Sequence, residues 1–362
     1  MPEYNPLNER LKKQYEDTLL HENYREERTA DSVWKAINLY ENYTGRRDFT
    51  TFDMEQAKGF KRWLVKQKNA KGELLSLSTV RSTLKILRDF FGWLSIHPQY
   101  IRKIDGRAAG YLRLSNNAER AGRATKELPI PSVEEVHKVL EAMPHGTEIE
   151  KRDRAVIAFM ALTGVRDAAL ISLKMKDVDR VKKEVWQDPK HVDTKNRKAI
   201  STFFMPFDPL WQDIVMEWLD YAEQELGFKP DDPLFPKQAV KCNPATLKFE
   251  VTGLSREHCA NATPVRQIFH AGFTLAGLPY YNPHSFRKML AIWALENCTQ
   301  MEFKAISQNI GHQHAITTYN SYGTLNDHKR RSVISAIGTG KTDISHVPDE
   351  IVIAEMQRRM QR

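Results

Sequence analysis

Apolar residues recur at helical spacing through the first hundred residues of the chain. The clearest stripe consists of Val80, Leu84, Leu87, Phe91 and Leu94, and Ser78 is placed to cap the helix that carries it. Similar patterns predict helices over residues 30–43 and 53–66. The N-terminal third is therefore expected to be helical.

The pattern changes after Pro131. Ser132 and Glu135 have the spacing of a capping box, so a helix and a second domain are expected to begin there. Further helices are expected over residues 152–162 and after Asp208. Between them, β-rich stretches at residues 181–187, 191–194 and 199–206 predict a small antiparallel sheet. Residues 228–263 have little periodicity and are expected to form an irregular insertion, after which helical patterns continue to residue 322.

Charge and composition narrow the possible partners. The 362 residues include 54 Lys and Arg against 46 Asp and Glu, a formal net charge of +8, and half of that excess lies within residues 101–127. A basic balance permits a polyanionic partner without requiring one. The three cysteines form no CxxC pair, which points to a reducing compartment and gives no structural zinc site. No apolar run is typical of a membrane span, so a cytoplasmic location without a membrane partner is expected.

A basic stripe accompanies the apolar stripe of residues 80–94. Arg81, Lys85 and Arg88 lie roughly a quarter-turn from the apolar positions, at about 100° per residue. Such a helix can pack on one side and meet phosphate on the other, although a solvated face gives the same pattern. Arg120 and Arg123, in the basic segment that follows, are further candidates for DNA binding.

Four short segments carry polar or cationic groups that helix packing does not require: residues 163–166, 194–198, 282–287 and 310–323. Each has an ordinary structural interpretation. Arg166 could cap a helix or pair with Asp177, Lys195 could be a solvated hairpin residue, and His312 could be a core histidine. Taken singly, none of the four segments is specific.

Together, two arginines, a lysine, two histidines and a late tyrosine can cleave a phosphodiester without a metal. Arg166 and Arg287 could clamp the non-bridging oxygens, which gain negative charge in the transition state. A tyrosine hydroxyl with a solution pKa near 10 needs help to lose its proton before it attacks. Lys195 could protonate the leaving 5′ oxygen.

This order of residues resembles the tyrosine recombinase, or phage integrase, family. Thr163-Gly164-Val165-Arg166 resembles the first arginine box, and Lys195 sits where the hairpin lysine would be. Pro283-His284-Ser285-Phe286-Arg287 resembles the His-x-x-Arg box, and Ile310-Gly311-His312 with Thr317-Thr318 resembles the last box. The resemblance implies a site-specific recombinase or integrase that forms a 3′-phosphotyrosyl DNA link, with no metal or other cofactor.

The resemblance also implies the architecture. The fold class is expected to be mainly α with a small antiparallel β-sheet, in a helical core-binding domain and an α+β catalytic domain of the DNA breaking-rejoining type. We expect an N-terminal extension at residues 1–28, a SAM-like core-binding domain at 29–115 and a basic linker at 116–130. The catalytic domain is expected at 131–335 and a C-terminal tail helix at 336–362.

Two departures from the family pattern bear on the site. The usual nine residues beyond His312 lead to Ser321, whereas tyrosines lie at seven, Tyr319, and ten, Tyr322. We predict that Tyr322 is the nucleophile and keep Tyr319 as the alternative. The second departure is Ala169, where many members carry an acid that supports the arginine, so Asp167 or Asp177 could supply that support.

The implied partners are double-stranded DNA and further copies of the chain in a homotetramer. The final apolar stripe, within residues 348–360, could dock on a neighbouring subunit or on its own domain. Accessory DNA-bending or directionality factors, a nucleoid-associated location and a mobile-element origin are also expected. Competing hypotheses are a type IB topoisomerase that relaxes DNA, a non-catalytic DNA-binding accessory protein with this fold, and an RNA-binding or structural protein.

Overall fold

The computed structural model describes residues 4–22, 27–101, 103–123, 129–194, 197–244, 247–312, 331 and 334–335. The chain divides into two compact units, Met1–Glu127 and Leu128–Arg362. Helices dominate both units, and the antiparallel strands lie in the second, as predicted. Among the described residues, no helix is both long and apolar enough to cross a membrane.

The first unit is built from helices α1 (Pro6–Asp17), α2 (Glu27–Thr44), α3 (Met54–Leu64), α4 (Leu77–Ile96) and α5 (Asn116–Arg123). The predicted apolar stripe of α4 is buried throughout, in a core rich in aromatic side chains. Phe52 stacks on Phe91 with ring centroids 3.7 Å apart, and the ring of Tyr40 meets Phe91 edge-on. The N-cap of α4 is Ser76 and not Ser78, because Ser76 has the extended backbone from which its side chain accepts the Thr79 N–H.

Helix α1 lies in the segment that was expected to be an N-terminal extension. Its Leu11 and Tyr15 belong to the core of the first unit. Lys12 is buried and forms a 2.8 Å ion pair with Glu41 of α2, whose other oxygen accepts a hydrogen bond from Asn8. This buried polar pairing fixes α1 to α2. Helix α5 likewise falls within the segment that was expected to be a linker, and the boundary between the units follows residue 127.

The second unit contains helices α6 (Val133–Ala142), α7 (Glu148–Thr163), α8 (Asp167–Leu170), α9 (Pro209–Gln224), α10 (Thr263–Leu275), α11 (Pro283–Asn297) and α12 (Gln300–Asn309). The predicted capping box of α6 is present, with Ser132 and Glu135 each bonding the other's backbone N–H. Residues 155–163 of α7 are all buried, so α7 is the central helix of this core. The side chains of Trp211 and Trp218 on α9 are buried with it.

A three-stranded antiparallel sheet lies at the edge of this core, in the order β1 (Val178–Asp179), β2 (Glu184–Gln187) and β3 (Ile200–Phe203). Strands β2 and β3 pair in a register that sets Val185 opposite Thr202. The prediction of a strand at residues 191–194 was wrong. The chain turns there, because the N–H groups of His191 and Val192 both donate to the Asp188 carbonyl.

The prediction of an irregular insertion at residues 228–263 was also wrong in part. The segment contains an antiparallel hairpin of strands β4 (Gln238–Cys242) and β5 (Phe249–Leu254). Val240, Phe249 and Val251 are half or more exposed, so the hairpin buries little apolar surface. The helix predicted at residues 314–322 and the tail helix at 348–360 lie outside the described residues.

Candidate active site

The turn after α7 brings three distant segments together. Gly164 has φ 58°, a left-handed conformation that glycine adopts without strain, and its N–H donates to the Met160 carbonyl at 2.9 Å. A Cβ atom here would lie 2.7 Å from Leu290 Cδ1 and 3.3 Å from Ile310 Cγ2. Glycine is therefore required both for the backbone conformation and for the close approach of α11 and the end of α12. Arg166 follows as the extended N-cap residue of α8 and is half-buried.

The start of α11 positions His284 and Arg287. Asn282 caps the helix by accepting the Ser285 N–H, and Pro283 occupies the first turn. His284 is exposed, whereas Arg287 is buried and only 2% exposed. Arg287 Nη1 donates to the Gly164 carbonyl at 2.5 Å, and Nη2 donates to the Ile310 carbonyl. One guanidinium thus connects the first arginine box with the last box.

The end of α12 positions His312. The Gly311 N–H donates to Gln308 and the His312 N–H to Ser307, which is a Schellman motif with Gly311 at φ 76°. His312 is half-buried just beyond this turn. A Cβ on Gly311 would lie 2.9 Å from Ile200 Cδ1, so the last box also packs on strand β3.

Asn309 fastens this helix end to the sheet. Its Oδ1 accepts the Phe203 N–H at 2.6 Å, and its Nδ2 donates to the Phe203 carbonyl at 2.8 Å. Its own carbonyl accepts the Thr202 hydroxyl, which in turn accepts a hydrogen bond from buried Gln187 on β2. This amide docks like an additional strand residue, and we did not predict it from the sequence. Its only sequence signal was its place just before the last box.

The electrostatic environment of His284 shows that the cationic residues converge. His284 as a whole is exposed, but the protein around its ring removes part of the water that would stabilise a charged imidazole, and this desolvation is the largest cause of its lowered pKa. The charges of Arg287, Lys288 and Arg166 lower the pKa further. The charge of Asp167 partly opposes them. A neutral imidazole therefore persists to lower pH than usual, within a group of positive charges suited to an anionic phosphate.

The two acids that were considered as support for Arg166 have other visible partners. Asp167 Oδ2 bonds Arg266 of α10 at 3.1 Å, and Oδ1 accepts the Ala168 N–H. Asp177 is buried and contacts the ring of His191, with both carboxylate oxygens within 3.0 Å of Nε2. Arg266 and His191 were not recognised in the sequence, because no spacing connects them with the boxes.

Several predicted residues lie outside the described part of the chain. These are Lys195, Tyr319 and Tyr322, together with the side chain of Arg123. Among the described residues, no group of three or more His, Cys, Asp or Glu is arranged to hold a metal ion.

The predicted basic stripe on α4 carries its own counterions. Arg81 Nε lies 3.1 Å from Glu119 of α5, and Lys85 Nζ lies 2.8 Å from Asp89. A surface cavity of about 370 Å³ follows the same face of the first unit. Its lining residues are mostly polar: Arg88, Arg113, Leu114, Asn116, Glu119 and Arg120.

Comparisons with known proteins agree with this arrangement. The sequence model of the phage integrase family matches residues 132–329. Tyrosine recombinase XerC of Lactobacillus leichmannii is 26% identical over 250 residues, which cover 69% of this chain and 73% of that protein. XerC of Lactobacillus delbrueckii subsp. bulgaricus is also 26% identical, over 252 residues that cover 69% and 73% of the two chains.

Solved structures share the fold at low sequence identity. XerH recombinase bound to a palindromic difH substrate has a TM-score of 0.58 and 16% identity, covering 85% of this chain and 79% of that one. The Tn1549 transposon integrase in complex with transposon right-end DNA has a TM-score of 0.58 and 14% identity, covering 90% and 99%. A lambda integrase dimer bound to a core site has a TM-score of 0.57 and 13% identity, covering 88% and 97%.

The family match spans more than half of the chain and includes all the boxes that meet around Gly164. The chain therefore belongs to the phage integrase family of tyrosine recombinases, DNA-binding enzymes that exchange DNA strands.

Proposed function

We propose that this chain is a site-specific recombinase or integrase of a mobile element and that Tyr322 is its nucleophile. The observation that supports the grouping of the boxes is their convergence at Gly164, and Tyr322 is chosen for its spacing of ten residues from His312. Arg287 bonds the carbonyls of Gly164 and Ile310, so the first, second and last boxes form one structural group. The positive charge of Arg166, from the first arginine box, also acts on His284 together with those of Arg287 and Lys288 on its own helix.

In this proposal, the Tyr322 hydroxyl transfers its proton to water and its oxygen attacks the scissile phosphorus. The bond from phosphorus to the 5′ oxygen breaks, and Lys195 gives that oxygen a proton. Arg166 stabilises the extra negative charge on the non-bridging oxygens, with hydrogen bonds from His284 and His312. Buried Arg287, whose Nη1 and Nη2 bond backbone carbonyls, contributes its positive charge. Because the 3′-phosphotyrosyl link conserves a phosphodiester, a 5′-hydroxyl from another strand can reverse the step and exchange strands.

The first unit is proposed to hold the duplex through Arg81, Lys85, Arg88, Arg120 and Arg123. Cavity-lining Arg88 and Arg120 support this assignment. Side chains of this kind bind mainly to phosphates and position the enzyme on the duplex, and a smaller number of side chains contact the bases.

We further propose that the active assembly is a homotetramer on nucleoid-associated DNA, assisted by DNA-bending or directionality factors. The support is the C-terminal apolar stripe, whose members are Ile351, Ile353, Ala354, Met356 and Met360. Analytical ultracentrifugation of DNA complexes, with the full chain and a chain ending at residue 347, tests this. Equal assembly of both would refute a role for the tail.

The chemistry is tested with nicked duplexes made from the DNA that flanks the gene, in the presence of EDTA. A nick lets the short 5′-hydroxyl fragment diffuse away, so that covalent protein–DNA complexes accumulate and migrate slowly in a denaturing gel. The wild type and Tyr319→Phe should form the complex, and Tyr322→Phe should bind the duplex without forming it. Attachment by Tyr322→Phe, with loss in Tyr319→Phe, would transfer the nucleophile's role to Tyr319.

Two further outcomes separate the competing functions. A wild-type chain that binds these duplexes and never becomes attached would be a non-catalytic DNA-binding protein. Relaxation of a supercoiled plasmid without strand exchange between two duplexes would indicate a topoisomerase.

A further inference from the structure

An Asp–His pair fixes the segment that leads to Lys195. Asp177 is only 4% exposed, and its carboxylate accepts the Lys174 backbone N–H at 2.8 Å. The same carboxylate bonds His191 Nε2, at 2.9 Å from Oδ1 and 3.0 Å from Oδ2. A buried carboxylate holds both of its partners firmly, because breaking either bond would leave a buried charge without one of its hydrogen-bond donors.

A second contact lies two residues further along the same segment. The Asp193 N–H donates to the Ser172 hydroxyl at 2.9 Å, and that hydroxyl lies 2.9 Å from the Ala169 carbonyl of α8. Val192 and Thr194, on either side of Asp193, are each 2% exposed. Residues 191–194 are therefore held along their length against α8 and the segment that follows it.

We propose that Asp177 and His191 are positioning residues for Lys195, the proposed proton donor to the leaving 5′ oxygen, because they fix the segment that leads to it. The inference rests on the proposed function of Lys195. The fixed segment ends at Thr194, the last described residue before Lys195. A substitution that releases His191 is therefore expected to loosen the chain that leads to the lysine.

The proposed step has a simple proton balance. The tyrosine hydroxyl gives its proton to water as its oxygen bonds to phosphorus. The P–O5′ bond breaks, and the Lys195 ammonium transfers one proton to the departing oxygen. General acid catalysis of this kind typically contributes about 10²–10⁴-fold to a rate, and a misplacement of about 1 Å can cost about 10²-fold. We therefore expect His191→Ala to slow cleavage by about 10–100-fold.

The test compares two nicked duplexes of the same sequence. One has the natural oxygen at the bridging 5′ position, and the other has sulfur there. A thiol with a pKa near 8.5 leaves as a thiolate without needing a proton. A variant that has lost only proton donation should therefore cleave the sulfur duplex at nearly the wild-type rate, whereas a misfolded variant is slow on both.

We expect His191→Ala and Lys195→Ala to be slow on the oxygen duplex and within about threefold of wild type on the sulfur duplex. His191→Gln can still donate to Asp177 from a similar position and should recover much of the oxygen-duplex rate. His145→Ala is the matched control, because His145 is an exposed histidine of the same unit, and it should be normal on both duplexes.

Each contrary result has a distinct meaning. The positioning inference is overturned if the sulfur duplex restores the cleavage rate of Lys195→Ala but not that of His191→Ala. It is also overturned if His191→Ala cleaves the oxygen duplex at the wild-type rate. If Lys195→Ala is slow on both duplexes, the proposed role of Lys195 itself fails, and the inference fails with it.

Discussion

Gly164→Ala tests whether the close contact at this turn holds the site together. Alanine at φ 58° costs about 1–2 kcal/mol, because its Cβ crowds the backbone in the left-handed conformation. The new Cβ would also lie 2.7 Å from Leu290 Cδ1, inside van der Waals contact, and overpacking of this kind costs about 1–3 kcal/mol. The free energy of unfolding of the second unit should therefore fall by about 2–5 kcal/mol.

Thermal and urea unfolding measure this loss, and Gly227→Ala is the matched control. Gly227 has φ 64° with no neighbouring atom within 4 Å of its would-be Cβ, so its variant should lose only about 1–2 kcal/mol. Leu290→Val removes the Cδ1 atom, and the double variant with Gly164→Ala should recover about 1 kcal/mol of coupling energy. Equal destabilisation by the two alanine variants would refute the argument from close contact.

Three other predictions concern the interface, the sheet and the pH dependence. Glu119→Gln removes the counterion of Arg81, so the chain should bind DNA more tightly in fluorescence anisotropy titrations. The slope of the logarithm of affinity against the logarithm of salt concentration should become steeper by up to about one unit. An unchanged affinity and slope, or the same change in the Glu55→Gln control, would contradict this. Asn309→Ala should lower the unfolding free energy by about 1–3 kcal/mol in urea titrations, because it removes two hydrogen bonds to β3; a neutral effect would contradict the docking role. The pKa of His284 is lowered from the ordinary histidine value of 6.5, so protonation of His284 should change the cleavage rate with a midpoint below pH 6.5. A decline centred above pH 6.5 that His284→Gln removes would contradict this.

Sequence reasoning succeeded where burial leaves a periodic signal. Helix α4 buries one face, so its stripe predicted both the helix and its core positions. The β4–β5 hairpin buries little, so its strands carry no comparable signal. Helix α1 was missed because its buried Lys12 is satisfied by a partner 29 residues away, and no local pattern records such a pair.

In the site, too, some features have a local sequence signal and others depend on tertiary packing. The boxes predicted which residue types would meet, and the glycine of the first box could be expected to end a helix. The burial of Arg287 and its bonds to two backbone carbonyls depend on how α7, α11 and α12 pack. The Asp177–His191 pair depends on a bend after β2 that the sequence did not indicate.

The bonds of Arg287 also determine when the site can exist during synthesis of the protein. Its two carbonyl partners lie 123 residues before it and 23 residues after it. A growing chain that ends before Ile310 has the first arginine box but lacks one of the groups that hold the second in place. The two bonds that hold Arg287 can therefore form together only after Ile310 has been added to the chain, so the position of this guanidinium depends on a segment translated long after α7.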